Sequence, residues 1–535
     1  MRRVWLTAGA IILALNTAQA EVSVSGDTTF RLEHYRVSGD EAHAPYPDQG
    51  SHLYQDLNLH VRGSPGAGRY WEFNTSALLN RSDYRHAEQG FVPEWAHLRY
   101  EDGTATVPYR LDAGDQQARL TSMTLDQRLQ AVRVEVQPRG TGPAGGRHSL
   151  VWLSGRDQAD WNALDPGAAS RFHDTRFQGA SWLLDGVGAG RYSVNVLHQD
   201  PGDQLAQRDA GVLASIAGAW DLSLAHQTVS AEAEWARLDE SGLDQAPESD
   251  QGLRAQLTGK MQPVPLDYRL RYRRFGDGFR PLGADLTPDS RLLGGSAALG
   301  IPWGARLTGN VERHVDGVTL QRLQLDDYGV AVLAPQTFGA VGWMDHEWGF
   351  RVRERENRTG TIRDRATEAR WSIRVAGREG SDTRMSMRWL GIEDESELDR
   401  DRREHRLALT HAERISVGEL DLTATPGVDY RHRSGYWPMT LVHPTFRLDA
   451  GLQSHSLGLM LGFRALERRD ALMDVDEYSL RLDYRYRLDN HVLGLEYDQQ
   501  LREPEEGSHT EAWRAGMFWR YEFRSLDGLS MGTGS

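Results

Sequence analysis

From Val22 onward the chain alternates apolar and polar residues with a period of two, segment after segment. Val22, Val24, Phe30 and Leu32 share one face of the first segment. Leu53, Leu57, Leu59 and Val61 share a face of the next, with Tyr54, Asp56, Asn58, His60 and Arg62 opposite. The same rule orders Val229 to Trp235, Leu266 to Tyr272, Ala369 to Val375, Leu457 to Phe463 and Tyr478 to Tyr486. Successive side chains of a β-strand point to opposite faces, so each segment reads as a strand with one apolar face. Many segments run to about ten residues, beyond the five or six usual in globular sheets and matched to a bilayer-crossing strand. A soluble sheet with one wet face also alternates, and a solenoid would add a fixed period, which the chain lacks. The pattern predicts an all-β chain, a transmembrane antiparallel up-and-down β-barrel with an even strand number, roughly 22–26. The stretches 155–175, 276–291 and 393–403, rich in Asp, Gly, Pro and Arg, read as extracellular loops.

The two ends sharpen this picture. Arg2 and Arg3 precede an apolar run from Val4 to Leu15 and the sequence Ala18-Gln19-Ala20. A basic start, a short apolar core and an Ala-x-Ala site make residues 1–20 a secretory signal peptide. Residues 21–523 are then the barrel, and residues 524–535 a polar periplasmic tail. In the last segment, Trp513, Ala515, Met517, Trp519, Tyr521 and Phe523 share one face, with Arg514, Gly516, Phe518, Arg520 and Glu522 on the other. Gly516, Trp519, Tyr521 and Phe523 fit a closing-strand signal that resembles that of Gram-negative outer-membrane β-barrels. The resemblance implies location in the cell outer membrane, contact with its lipid and assembly by the barrel-insertion machinery.

Composition narrows the chemistry. The absence of cysteine excludes disulfides, thiolate metal sites and covalently attached c-type haem within the chain. The formal net charge of −15 speaks against nucleic acid as a partner. Lys260 is the only lysine, so almost all positive charge is arginine, whose planar fork matches carboxylate and phosphate. No His-Glu-x-x-His helix is present and no nucleophile–base pair can be placed, so an enzyme is the weakest reading, and no cofactor or metal is expected.

The arginines carry the functional reading. Arg269, Arg271 and Arg273 form one row, Arg370 and Arg374 a second, Arg384 and Arg388 a third, Arg481 and Arg485 a fourth. Arginine facing lipid is costly, so these rows are expected to face the lumen. There they either pair with Asp267, Glu368, Asp483 and other acids in cross-strand ladders, or draw anions into the pore. The style of the chain resembles export channels for anionic exopolysaccharides such as the alginate-export family. That resemblance implies a channel for diffusion or export, of the porin type, and the Arg-rich lumen, not the resemblance, suggests anionic solutes or an anionic polysaccharide as cargo. The alternative is a structural sheath enclosing a periplasmic or lumenal partner, such as a multihaem cytochrome in an electron conduit.

Overall fold

The computed structural model describes residues 21–523 except 40–48, 83–88, 140–145, 158–174, 202–209, 241–247, 303, 318–321, 339–341, 378–379, 397–399, 469–473 and 506–507. The signal peptide and the polar tail expected at the two ends lie outside the described residues.

The alternating segments form 26 strands. The first nine are β1 (Glu21–Gly39), β2 (Gly50–Gly66), β3 (Arg69–Arg81), β4 (Gly90–Asp102), β5 (Tyr109–Arg119), β6 (Asp126–Val136), β7 (Arg147–Asp157), β8 (Arg176–Val187) and β9 (Gly190–Asp200). Next come β10 (Gly211–Leu224), β11 (Gln227–Glu240), β12 (Glu248–Met261), β13 (Leu266–Phe275), β14 (Ser290–Gly300), β15 (Arg306–Asp316), β16 (Leu323–Phe338), β17 (Gly342–Asn357) and β18 (Arg363–Gly377). The last are β19 (Asp382–Asp394), β20 (Arg402–Val417), β21 (Leu420–Gly435), β22 (Met439–Leu452), β23 (His455–Arg468), β24 (Val475–Leu488), β25 (His491–Pro504) and β26 (Thr510–Phe523). Each pairs antiparallel with its sequence neighbours, and β1 pairs with β26, Phe30 opposite Trp519 and Leu32 opposite Met517. The sheet therefore closes without an edge, as a bilayer requires. The even strand number, at the top of the expected range, puts Glu21 and Phe523 at one end.

That end carries the tight turns, such as 188–189, 225–226, 453–454 and 489–490, while longer connections such as 276–289 lie at the other. Short periplasmic and longer extracellular connections are the rule for outer-membrane barrels. The loops expected at 276–291 and 393–403 are shorter than read: Ser290 and Arg291 open β14, Glu393 and Asp394 close β19, and Arg402 opens β20. Of 155–175, residues 155–157 belong to β7, and 158–174 lie outside the described residues. Local composition is loop-like there, but register with the neighbouring strand extends the ladder.

The outer face is an aliphatic belt: Val194, Ile216, Leu270, Leu293, Val330, Leu461 and Leu495 are all exposed on it. Aromatic residues mark its borders. Trp220 donates to Tyr192 Oη at 3.0 Å near the short-turn end, and His455 stacks on Tyr486 with centroids 4.7 Å apart at the same level. Trp235, Tyr478 and Trp513 stand towards the long-loop end. An apolar band between aromatic girdles is the surface lipid demands.

A small core lies inside the barrel. The β5–β6 turn and the 276–289 loop fold inward, bringing Met123, Leu125 and Phe279 onto Leu129, Leu153, Phe177, Leu197, Leu213, Leu238 and Phe275. Asp126 N donates to Gly283 O at 2.8 Å and Leu282 N to Gln199 Oε1 at 2.9 Å, tying the two loops to each other and to the wall. Thr121 and Ser122 hydrogen-bond the Glu234 carboxylate, and Arg254 Nη1 donates to Ser122 Oγ at 2.7 Å. The shelf packs against one arc of the wall, β6–β13.

Candidate functional site

The inner wall opposite and beside this shelf is lined by charge, and the register defines it. On β13 the inward row is Asp267, Arg269, Arg271, Arg273 and Phe275, opposite Lys260, Thr258, Gln256, Arg254 and Gly252 of β12. Phe275 belongs to the interior core, which fixes that face as the inner one. Followed from pair to pair around the sheet, the same face carries Arg370 and Arg374 of β18, Arg384 and Arg388 of β19, and Arg481 and Arg485 of β24. All nine singled-out arginines thus share the inner face.

Most of them hold acids. Arg271 meets Glu312 at 2.5 Å, Arg370 meets Glu347 at 2.6 Å, and Arg374 and Arg384 share Asp382 at 2.8 and 2.9 Å. Arg388 lies 3.1 Å from Glu368, and Arg485 3.8 Å from Asp483. Arg269, Arg273 and Arg481 have no ion pair within 4.0 Å among the described residues. The partners are partly not those expected: Asp267 takes Arg306, an arginine outside the four rows, at 3.3 Å.

The Arg271–Glu312 pair spans an intervening strand. Arg271 is opposite Gly294, and Gly294 is opposite Glu312. A glycine at the middle position leaves room for the two side chains to meet above it.

The densest part of the wall is a row the sequence alone does not show. Arg370, Arg388, Arg406 and Arg431 stand directly opposite one another across β18, β19, β20 and β21. Like charges in direct register repel. The repulsion is offset from adjacent rows: Glu347 serves Arg370, Glu368 serves Arg388, and Asp429 holds Arg406 at 2.6 Å in a two-point contact. Glu404, with its side chain only 6% exposed, sits among Arg433 at 3.1 Å, Arg431 at 3.5 Å and Arg388 at 4.0 Å. Its neighbour along the inner face of β20 is Arg402. Arg402, Glu404, Arg406 and Asp429, Arg431, Arg433 place a charged residue at every second position, the signal that would have found them.

The arc β8–β11 differs. Its inward charges are Asp185, Arg191, Asp221, Glu232, Glu234 and Glu240, interspersed with Ser193, Asn195 and Ser215. The inner wall is therefore divided, a basic arc facing an acidic and partly apolar one. Clefts lined by one sign of charge focus potential.

The closing residues divide by face. Gly516 is inward, between Glu33 and Glu496. Over it, Arg31 reaches Glu496 at 3.5 Å, while Arg514 lies 3.9 Å from Glu33 and Tyr35 donates to Glu33 at 2.5 Å. Trp519, Tyr521 and Phe523 are outward. Trp519 stacks on His491 with centroids 5.8 Å apart, and Tyr521 lies 4.8 Å from the same ring. His314 faces inward with Nε2 2.5 Å from Asp316 Oδ1. Among the described residues no group of three or more His, Asp or Glu is arranged to hold a metal; of the acidic loop 394–401, residues 397–399 lie outside the description.

No family model matches the chain, and no curated protein matches it. Solved structures similar in outline include Wzi of Escherichia coli, an outer-membrane carbohydrate-binding β-barrel involved in group 1 capsule assembly, at 10% identity and TM-score 0.32 over 65% of this chain and 84% of that one. Pseudomonas aeruginosa OccK2 in complex with glucuronate matches at 11% identity and TM-score 0.35, over 69% and 97%. The P pilus usher translocation pore matches at 10% identity and TM-score 0.37, over 93% and 99%. At these scores the likenesses bear on neither substrate nor partner. The closed sheet, its apolar belt and its aromatic borders stand by themselves: the chain is a transmembrane β-barrel of the outer-membrane type.

Proposed function

We propose that the barrel is an outer-membrane channel for diffusion or export whose lumen favours anions, small solutes or an anionic polysaccharide. The observation that carries this is the basic arc from β13 to β24, where Arg269, Arg273 and Arg481 have no carboxylate within 4.0 Å among the described residues and Arg431 and Arg433 share Glu404. Arginines held by structural ladders stiffen a wide wall. Those left without an acid keep their field for a passing ion. Planar-bilayer recordings under a KCl gradient test the reading: the reversal potential should lie towards chloride, and Arg269→Ala with Arg273→Ala should reduce the bias. A cation-selective pore would overturn it.

Width favours a second reading. Twenty-six strands about 4.8 Å apart and tilted about 40° imply a circumference of about 160 Å, so a circular barrel about 50 Å across. Among the described residues the inward shelf packs on one arc of the wall. A lumen of that size is large enough to act as a sheath around a partner protein. Co-purification of a periplasmic protein with a barrel that shows no conductance would select this reading over the first.

A further inference from the structure

The geometry points to an oxyanion-binding site on the inner wall, built by Arg402, Arg431 and Arg433 around Glu404, that takes a group bearing two or more negative charges, such as pyrophosphate. It rests on the anion-favouring reading of the lumen and deepens it by naming a site and a ligand class.

Charge balance comes first. Six guanidinium groups, on Arg370, Arg388, Arg402, Arg406, Arg431 and Arg433, share this patch with four carboxylates, on Glu347, Glu368, Glu404 and Asp429. The nearby Asp364 is engaged by Arg355. Arg402 has no ion pair within 4.0 Å among the described residues. The excess is therefore two positive charges. A protein-borne carboxylate already occupies the centre of the cluster, which shows that the guanidiniums converge where an anion fits.

Donor geometry comes second. The Nε atoms of Arg388 and Arg402 are enclosed and have no hydrogen-bond acceptor among the described residues. The Nε of Arg431 is also enclosed, and lies 3.5 Å from Glu404 without hydrogen-bond alignment. Enclosed donors without acceptors are costly, and arginine forks match phosphate oxygens two at a time. The row Arg370, Arg388, Arg406 and Arg431 also breaks the rule against like charges in register. Such violations are expected where function requires them. The patch faces inward and the Arg388, Arg431 and Arg433 side chains remain partly exposed there, so a solute in the lumen reaches their forks, rather than the enclosed Nε atoms, and surrounding lipid does not.

Titration calorimetry of the purified full-length barrel in detergent, with sodium pyrophosphate at low salt, tests the site. Wild type should show saturable binding. Arg402→Gln removes a cation that holds no acid, so the fold should persist, and affinity should fall by about tenfold. Glu404→Gln removes the competing carboxylate and, in the folded fraction identified by heat-modifiable migration, should bind several-fold more tightly. Arg447→Gln, which loosens a pair with Asp449 elsewhere on the inner wall, should leave affinity unchanged. Absence of saturable binding by wild type, or equal weakening by Arg402→Gln and Arg447→Gln, overturns the proposal. Conductance recorded in parallel separates the two ideas: anion-selective current without pyrophosphate binding sinks the site alone, and binding without current sinks the channel alone.

Discussion

Single residues hold the seam of the barrel. Glu33 on β1 is almost fully buried and gathers Tyr35, Arg31 and Arg514 on the inner side of the β26–β1 junction. Removing one partner of an enclosed ion cluster leaves the others uncompensated, which costs more than the pair contributed. Glu33→Ala should therefore destabilise the barrel by about 3 kcal/mol, seen as a lower temperature for loss of the compact band on gels. Glycine acts at the same scale by making room. The Phe518 ring lies over Gly494, where any Cβ would collide with it. Phe518 in turn lies beneath the Arg31 guanidinium, 5.1 Å from its ring centroid, so it has little freedom to move aside. Gly494→Val should cost about 1–3 kcal/mol by overpacking, read from urea-dependent folding into lipid vesicles.

Strands carry the division between lipid and lumen. In β23, Leu461 and Met460 are neighbours with nearly equal exposure, 43% and 42%, yet the register puts Leu461 outside and Met460 inside. Leu461→Arg should lose about 2–4 kcal/mol of folding free energy in bilayers, and Met460→Arg should lose little. Equal losses would contradict the assignment of faces. The 276–289 loop adds a pH-dependent element. Burial, followed by the nearby Asp277 carboxylate, pushes the Asp289 carboxyl above the usual carboxylate range, with Asp250 and Asp316 adding to it and Arg322 opposing it. A raised carboxyl contributes stability below its unfolded pKa and loses it as pH rises through the folded value. Amide exchange in the loop should therefore be better protected, after correction for intrinsic rates, in mild acid than at neutral pH.

Alternation was legible in the sequence because the two-residue period is local: Leu457 to Phe463 and Ser479 to Arg485 take the faces their spacing implies. The partners of each arginine were not, because register across strands depends on connection lengths and bulges. Arg271 therefore finds Glu312 two strands away, and the Arg370 to Arg431 row emerges only when four strands are aligned. The inward shelf was missed because Met123, Leu125 and Phe279 lie in connections without periodicity. Its signal is on the wall instead: Leu153, Leu197, Leu213 and Leu238 are apolar at positions that elsewhere face water.

At the scale of the molecule, a sealed sheet of 26 strands encloses a lumen with a basic arc facing an acidic, partly filled one. The chain as a whole is acidic, so the basic arc is a local feature of the inner wall rather than a property of composition. Ions in the lumen respond to that local field more than to net charge. The reversal potential of the purified wild-type barrel in a planar bilayer under a tenfold KCl gradient tests this most directly. A basic inner wall should displace the potential towards the chloride equilibrium value, with the displacement shrinking as salt screens the wall. A potential displaced towards the potassium value would contradict it.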